Sequence, residues 1–153
     1  MERTLVILKP CTIQRGLIGE IIARFEKKGL ILEGMKMTWL TDEILSEHYA
    51  HLKERSFFQR VKDAMAVCPV IVCCWKGVDA VNVVRTLAGS TNGRNAAPGT
   101  IRGDYSMSVQ ENIVHASDSP ETAAIELKRF FNENELFSYE TKNLLSLYAN
   151  DEF

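Results

Sequence analysis

The sequence predicts an α+β fold in which helices pack on a four-stranded antiparallel sheet. Four short segments are apolar or alternate in polarity as β-strands do, and the segments between them place apolar residues at helical spacing. The elements follow in the order strand, helix, strand, two helices, strand, helix, long loop, strand, helix. This order suits a ferredoxin-like split βαβ sheet with its helices on one face. The periodicity alone also permits a parallel doubly wound sheet.

The first part of the chain contains a strand, a helix and a second strand. TLVIL at residues 4–8 is apolar throughout, which is typical of a central strand covered on both faces. Apolar residues at helical spacing predict a helix over 16–29, which ends at Gly29 because glycine favours helix C-termini. LILEGMKMTWL at 30–40 alternates and predicts the second strand. Large apolar side chains share one face of this strand: Met35, Met37 and Trp39.

The middle of the chain predicts two helices, a strand and a further helix. TDEILSEHYAHL at 41–52 begins with N-capping residues, and FFQRVKDAMA at 57–66 continues the helical pattern. PVIVCCW at 69–75 is again apolar throughout, as expected of a strand buried on both faces. Gly77 provides the turn into the next helix, at 78–89.

The last part of the chain contains a long loop, a short strand and a helix. Residues 89–112 show no periodicity and are rich in Gly and Pro, and an ordered loop of this length is generally kept for function. NIVHA at 112–116 predicts the fourth strand. The final helix, at 119–131, has Ser119 as its N-cap and Pro120 at its first position.

Composition predicts one globular domain over residues 1–153, with 46 % hydrophobic and 25 % charged residues. The net charge of −2 argues against strong nucleic-acid binding or attachment to a membrane surface, since both need an extended positive field. The cysteines form no C-x-x-C pair, and we found no signal peptide or long apolar run. We therefore expect a cytoplasmic protein with reduced thiols at Cys11, Cys68, Cys73 and Cys74.

One histidine stands out as a candidate nucleophile. His115 lies at the tip of the fourth predicted strand and is followed by small polar residues. A lone histidine on an apolar strand is more often a packing residue, but Glu126 lies on the edge of the inward face of the next helix. A buried carboxylate is costly unless it is paired, and His115 is its nearest candidate partner. Such a carboxylate would fix the tautomer of the imidazole and aim its other nitrogen outward.

Several cations and hydroxyls near the ends of elements indicate a site for an anion. Singly, each is typical of a solvated surface, but together they could bind phosphate. The chain has no P-loop, because GSTNGR has the wrong spacing and follows a helix, and it has no protein-kinase motifs. A phosphoryl-transfer enzyme of this kind would need another device, such as a nucleophilic histidine. The side chains concerned are Lys9, Tyr49, Arg55, Arg85, Thr91 and Arg102.

Two further histidines, His48 and His51, have the spacing i and i+3 on a predicted helix. This spacing could provide half of a metal site, but no third ligand has a suitable spacing. We interpret both as surface or interface residues.

The stretch NIVHASDS closely resembles the NIxHGSDS active-site signature of nucleoside diphosphate kinases. The similarity continues in the order of the family through TLVILKP, QRGLIGEIIARFEKKG, EHYAHLKERSFF, PVIVCCWKG, APGTIRGDYS and NENELFSY, and so covers essentially the whole chain. The resemblance implies the ferredoxin-like sheet. It also implies a magnesium-dependent enzyme that transfers the γ-phosphate of a nucleoside triphosphate, mainly ATP, to a nucleoside diphosphate by a ping-pong reaction with low base specificity.

The resemblance also implies the roles of individual residues. His115 would be the phosphorylated nucleophile, Glu126 the carboxylate that holds its ring, and Ser117 a hydroxyl beside it. No residue would bind magnesium directly, and Asp118 would contact the ion through water. Arg55 would have a supporting role. Phe57 and Val109 would contact the two faces of the base, and Lys9 would also take part in catalysis. The nucleotide-binding residues implied are Lys9, Tyr49, Phe57, Arg85, Thr91, Arg102, Val109 and Asn112.

Some positions differ from the usual family pattern. Cys11 and Thr12 replace Asp and Gly, a change we expect to lie away from the chemistry. Ala116 replaces the glycine after the histidine and should tighten the pocket. Ser90 and Gly93 replace Glu and Pro, and Gly93 should loosen a loop that packs at subunit contacts in this family. The length of the C-terminal segment favours a homo-hexamer over a tetramer.

The alternative hypothesis is a non-catalytic ferredoxin-like module that binds nucleotides or RNA. An RNA-binding sheet of this type needs exposed aromatic residues, whereas TLVIL and PVIVCC contain none. The negative net charge argues against it as well.

Overall fold

The computed structural model describes all 153 residues, and its centre is a four-stranded sheet. The strand order is β2-β3-β1-β4, and every neighbouring pair is antiparallel. The predicted antiparallel sheet is therefore confirmed, and the parallel doubly wound alternative is wrong. The strands are β1 (Glu2–Leu8), β2 (Ile31–Thr38), β3 (Val70–Gly77) and β4 (Val114–Ala116).

Helices fill the connections between the strands. The last long helix begins as its sequence predicts, with Pro120 in its first turn and the Ser119 hydroxyl accepting a hydrogen bond from the backbone of Thr122 at 3.1 Å. Short 3₁₀ turns occur at Ala50–Leu52, Gly93–Asn95 and Glu133–Glu135. The α-helices are α1 (Pro10–Gln14), α2 (Ile18–Lys28), α3 (Asp42–His48), α4 (Phe58–Met65), α5 (Ala80–Ala88), α6 (Ile101–Tyr105), α7 (Pro120–Phe130) and α8 (Leu144–Leu147).

Both faces of the sheet are covered, so the expectation of helices on one face is wrong. Along β1, Val6 and Leu8 belong to a core cluster shared with α2 and α5. Leu5 and Ile7 point the other way, into a second cluster shared with α3, α4 and α7. The physical reason is the uninterrupted apolar run of this strand, which would expose large side chains to water if one face were bare.

The loop after α5 contains more structure than its sequence predicts. It holds the Gly93–Asn95 turn and α6, whose N-cap Thr100 accepts a hydrogen bond from the backbone of Gly103 at 3.0 Å. Elements of three and five residues are too short to produce a visible periodicity. Gly93 does not loosen this segment: a Cβ at that position would lie 2.3 Å from the Ser106 carbonyl oxygen, so only glycine fits there.

Strand β2 forms one edge of the sheet, and the apolar face predicted for it is exposed. Met35, Met37 and Trp39 are 52 %, 57 % and 60 % exposed. Apolar side chains grouped along an unpaired edge strand are typical of a surface that binds another chain. None of the helices is long and apolar enough to span a bilayer.

Candidate active site

A cleft of about 680 Å³ opens beside the end of strand β4. The loop before β4, the end of α5 and the segment from Tyr49 to Val61 form its walls. Most of the residues that the sequence singles out lie around this one space, although they are far apart along the chain. They are Lys9, Tyr49, Phe57, Arg85, Thr91, Arg102, Val109, Asn112, His115 and Asp118.

The imidazole of His115 is oriented by a carboxylate behind it. Pairing of β4 with β1 places His115 opposite Ile7, on the face of the sheet that α7 covers. His115 Nε2 lies 3.0 Å from Glu126 Oε1. An ionised carboxylate can only accept hydrogen bonds, so Nε2 carries a hydrogen, and in the neutral ring the lone pair is on Nδ1. Nδ1 is therefore the ring nitrogen that can act as a nucleophile, and the side chain is 21 % exposed.

Glu126 is buried and stays ionised because its hydrogen bonds more than offset its desolvation. Burial alone would raise the pKa of this carboxyl, but hydrogen bonds from His115 and Ser117 lower it below its ordinary value. The Ser117 hydroxyl donates to Glu126 Oε2 at 2.5 Å. Neither Ser117 nor Glu126 lines the cleft, so both act on a substrate only through the ring of His115.

Lys9 is held at the end of β1 with its ammonium group in the cleft. Its Nζ donates to Asn112 Oδ1 at 2.7 Å and to the Gln110 carbonyl oxygen at 3.0 Å. The Asn112 amide in turn donates to the Thr91 carbonyl oxygen at 3.1 Å. Burial lowers the pKa of Lys9 to about 8, so the side chain is still largely protonated at pH 7.

Arg102 is fixed by backbone carbonyl groups from three parts of the cleft wall. Its Nε donates to Asn112 at 3.1 Å, its Nη1 to Gly89 at 2.9 Å and its Nη2 to Val114 at 2.7 Å. Burial, with a contribution from Arg85, lowers its pKa to about 10, so it stays charged at neutral pH. Its remaining N–H groups are preorganised for an anion in the cleft.

The backbone just before β4 is strained. Ile113 has φ +73°, a conformation that β-branched residues rarely adopt. Its carbonyl oxygen accepts two hydrogen bonds, from the backbone of Lys9 at 2.9 Å and from the Thr12 hydroxyl at 2.5 Å. Thr12 thus supports the segment that carries His115, although neither Cys11 nor Thr12 lines the cleft itself.

Residues 2–136 match the family model described as nucleoside diphosphate kinase. The chain belongs to the nucleoside diphosphate kinase family. A nucleoside diphosphate kinase from Parabacteroides distasonis is 86 % identical over 153 residues, which is 100 % of both chains. One from Pyrococcus abyssi is 50 % identical over 141 residues, covering 90 % of this chain and 89 % of that protein.

Solved structures give the same result for the fold. A halophilic nucleoside diphosphate kinase from Halobacterium salinarum in complex with CDP superposes with a TM-score of 0.94 at 39 % identity, covering 96 % of this chain and 98 % of that one. A nucleoside diphosphate kinase family protein from Babesia bovis gives 0.93 at 40 % identity, covering 97 % and 100 %. The predicted family, fold and enzyme class are confirmed: the chain is a phosphotransferase and not a non-catalytic binding module.

The far end of the cleft of this kinase is apolar and open. Phe57, at the N-terminus of α4, and Val109, in the loop before β4, both line it and are exposed. Arg60 and His51 also line the cleft, although the sequence did not single them out for it. Arg55 is exposed and does not line the cleft, so its supporting role has no contact in the structure.

The environment of His48 corrects its interpretation as a surface residue. Its side chain is 1 % exposed and its ring lies edge-on to that of His115, with 4.5 Å between the ring centroids. His51 is exposed, as expected. His48 ends the short helix α3, and a single residue at a helix end has no periodic pattern that would indicate burial. The only available signal was its position directly before Tyr49, which lines the cleft.

Two places in the kinase contain side chains of the types that bind metal ions: the cluster around His115 and the wall of the cleft. Ligand atoms of His48, His115 and Glu126 lie within 4.8 Å of one another, but His115 and Glu126 already bind each other and Arg129 donates to the third ring. The cleft itself has a single carboxylate in its wall, Asp118. One carboxylate facing a space for phosphates suits Mg²⁺, which usually binds through substrate phosphates, water and one or two carboxylates.

Proposed function

We propose that this nucleoside diphosphate kinase transfers the γ-phosphate of a nucleoside triphosphate, mainly ATP, to a nucleoside diphosphate through a phosphohistidine at His115. The observation that carries the proposal is the hydrogen bond from Nε2 to Glu126, which leaves the lone pair on Nδ1. Nδ1 attacks the γ-phosphorus, the bond from phosphorus to the bridging oxygen breaks, and the diphosphate leaves. A second diphosphate then attacks the phosphorus, and cleavage of the P–N bond regenerates the neutral ring. Because one site serves donor and acceptor in turn, the kinetics are ping-pong.

The cations of the cleft supply the electrostatic part of the reaction. Lys9, Arg85 and Arg102 line the space next to His115, where the terminal phosphates would lie. Phosphoryl transfer depends chiefly on positioning and on neutralising charge on the phosphate oxygens. Lys9 and Arg102 are already held by hydrogen bonds, so little reorganisation is needed when the nucleotide binds. Tyr49, Thr91 and Asn112 provide further polar contacts to phosphate and ribose in this proposal.

In this proposal the base is held by contacts to its flat faces and not by hydrogen bonds to its edges. Phe57 offers an aromatic face and Val109 an apolar one, and every base has a flat face that stacks on such surfaces. We therefore propose low base specificity, with purine and pyrimidine nucleotides accepted alike.

Asp118 would hold Mg²⁺ through water, together with the phosphates of the bound nucleotide. The ion would supply positive charge that offsets the negative charge of those phosphates during transfer. No side chain of the chain binds it directly in this proposal.

The decisive experiment for this function is phosphoenzyme formation. Incubation with Mg²⁺ and γ-labelled ATP should give an acid-labile, base-stable phosphoprotein, which any common nucleoside diphosphate discharges. His115→Gln should abolish labelling, because the amide has no comparable nucleophile. The matched control is His51→Gln, which also changes a histidine at the cleft and should keep the label. Labelling that persists in His115→Gln would overturn the assignment.

We also propose that residues 1–153 act as one domain in a cytoplasmic homo-oligomer, a hexamer rather than a tetramer. Both core clusters share the same sheet, and the four cysteines are free thiols. The exposed face of β2, with Met37 at its centre, provides an apolar surface for a second copy.

Light scattering after size exclusion tests the assembly. The protein should elute with the mass of six chains, and Met37→Glu should lower that mass because it buries a charge in the apolar contact. Lys142→Glu, on an exposed part of the chain, is the control with an added carboxylate. A monomeric wild-type protein, or an unchanged mass for Met37→Glu, would contradict this part of the proposal.

A further inference from the structure

His48 is buried against the reactive imidazole but does not line the cleft. Its ring meets that of His115 at an interplanar angle of 80°, with 4.5 Å between centroids. On another side it meets the ring of Phe130 at 79° and 5.2 Å. Glu126 fixes His115 by one hydrogen bond in the plane of the ring, and a single bond leaves rotation about its own axis free. The edge-to-face contact with His48 removes that freedom.

The charge state of His48 decides whether Glu126 serves His115 alone. His48 Nδ1 lies 3.6 Å from Glu126 Oε1, the same oxygen that binds His115 at 3.0 Å. A hydrogen on Nδ1 would make His48 a competitor for this oxygen. A lone pair on Nδ1 cannot donate, so the neutral Nε2–H tautomer leaves the oxygen to His115.

Arg129 imposes the tautomer that does not compete. Its Nη1 donates to His48 Nδ1 at 3.2 Å, and its Nε donates to Glu47 Oε1 at 2.9 Å, which aims the guanidinium. Burial lowers the pKa of His48 to about 3, and the charges of His115 and Arg129 act in the same direction, while Glu126 opposes them. The ring is thus neutral at every pH at which the kinase is expected to work.

We propose that neutral His48 is a positioning residue, which fixes the plane of the His115 ring during phosphate transfer and leaves the Glu126 carboxylate to that ring alone. The proposal rests on the proposed role of His115 as nucleophile. It assigns to Arg129, which does not line the cleft, the task of holding the lone pair of His48 on Nδ1 by donating a hydrogen bond to it.

The first test measures single-turnover formation of the phosphoenzyme from Mg²⁺-ATP together with the ATP concentration at half-saturation. His48→Ala should slow phosphorylation roughly 10- to 100-fold, because a nucleophile that is no longer held in place loses rate on this scale. The ATP concentration at half-saturation should stay within about twofold of the wild-type value, since His48 does not line the cleft. His48→Phe keeps the ring and its edge contact and should recover most of the rate.

Leu45→Ala is the matched control for stability. Leu45 is buried in the same helix, in the core cluster whose members Tyr49 and Phe130 contact the ring of His48, and it does not line the cleft. Its loss should lower the melting temperature at least as much as His48→Ala while leaving the rate of phosphorylation near that of wild type. A His48→Ala rate within about twofold of wild type, or an equal slowing in Leu45→Ala, would overturn the proposal.

The second test is the pH profile of the same rate. Arg129→Met removes a cation that holds down the pKa of His48, so protonated His48 should compete for Glu126 at low pH. The acid limb should therefore move to higher pH in Arg129→Met and return in the His48→Phe/Arg129→Met double variant. Identical acid limbs in wild type and Arg129→Met would contradict the role of the arginine. The groups around His48 that titrate or carry charge are Glu47, Tyr49, His51, His115, Asp118, Glu126 and Arg129.

The same labelling experiment distinguishes failure of the proposed phosphohistidine at His115 from failure of the proposed role of His48. If wild type is not labelled, or if His115→Gln still is, the phosphohistidine itself is wrong. If labelling depends on His115 but is unaffected in every His48 variant, only the positioning role is wrong.

Discussion

The two ends of the cleft differ in how firmly their side chains are held. At one end, His115, Glu126 and Ser117 form a chain of hydrogen bonds, and two of the three are buried. At the other end, the side chains of Phe57 and Val109 are exposed and, being apolar, form no hydrogen bonds. The rigid end is built on a strand and a helix, where atoms can be fixed closely, and the open end on a helix start and a loop. The proposed nucleophile is thus placed where the fold is stiff, and the surface proposed to contact the base where tolerance is needed.

After loss of His115 itself, loss of the Glu126 carboxylate should have the largest effect on kcat of any change at the rigid end of the cleft. Glu126→Gln can present its NH₂ group to Nε2 and so favour the wrong tautomer, with the hydrogen on Nδ1. We expect kcat to fall about 10²- to 10³-fold, by analogy with other oriented histidines. Steady-state turnover of GDP or CDP, with ATP as the donor, measures this effect.

The control for this prediction is Glu121→Gln, which changes an exposed carboxylate on the same helix. It should retain nearly full turnover. A Glu126→Gln enzyme with unaltered kcat would show that the carboxylate does not orient the ring.

Deprotonation of Lys9 should remove a positive charge from the cleft wall without changing the nucleophile His115. The pKa of Lys9 is about 8, so the ammonium loses its charge as the pH rises through that value. We expect kcat/KM for diphosphates to fall about tenfold per pH unit on the alkaline side. Lys9→Arg keeps the charge throughout, so its profile should be flat there even if its maximum is lower. An alkaline limb that is the same in Lys9→Arg would assign it to another group.

The smallest effect is expected at the open end. Phe57→Ala removes one stacking surface, worth about 1 kcal/mol at an exposed site, or roughly a fivefold rise in KM. The rise should be similar for ADP, GDP and CDP, because the ring contacts only the flat face of a base. The rise in KM is measured from initial rates with the three diphosphates, each with a triphosphate of a different base as the donor. A loss confined to purines would show that Phe57 discriminates between bases.

The sequence predicts the strands and the covered face of α7 well because their apolar patterns are long and regular. Short elements escaped it: α1 and α6 have five residues each, too few for a helical period to appear. The residues of the cleft were implied by resemblance to a family, since their convergence depends on long-range packing. His48 was misjudged because its importance lies in one contact, with the ring of His115. The hydrogen bond from Thr12 to the strained Ile113 carbonyl was likewise not predicted, since a linear pattern contains neither contact.

The three carbonyl bonds of Arg102 have a consequence for how the enzyme loses activity. This one guanidinium connects the end of α5, the residue before the strained turn and the start of the last strand. Opening of the wall segment from Gly89 to Val114 therefore breaks hydrogen bonds that hold this cation in the cleft wall. Local melting of that wall and loss of the cation from the cleft are one event, so a nucleotide bound in the cleft would also stabilise the surrounding chain.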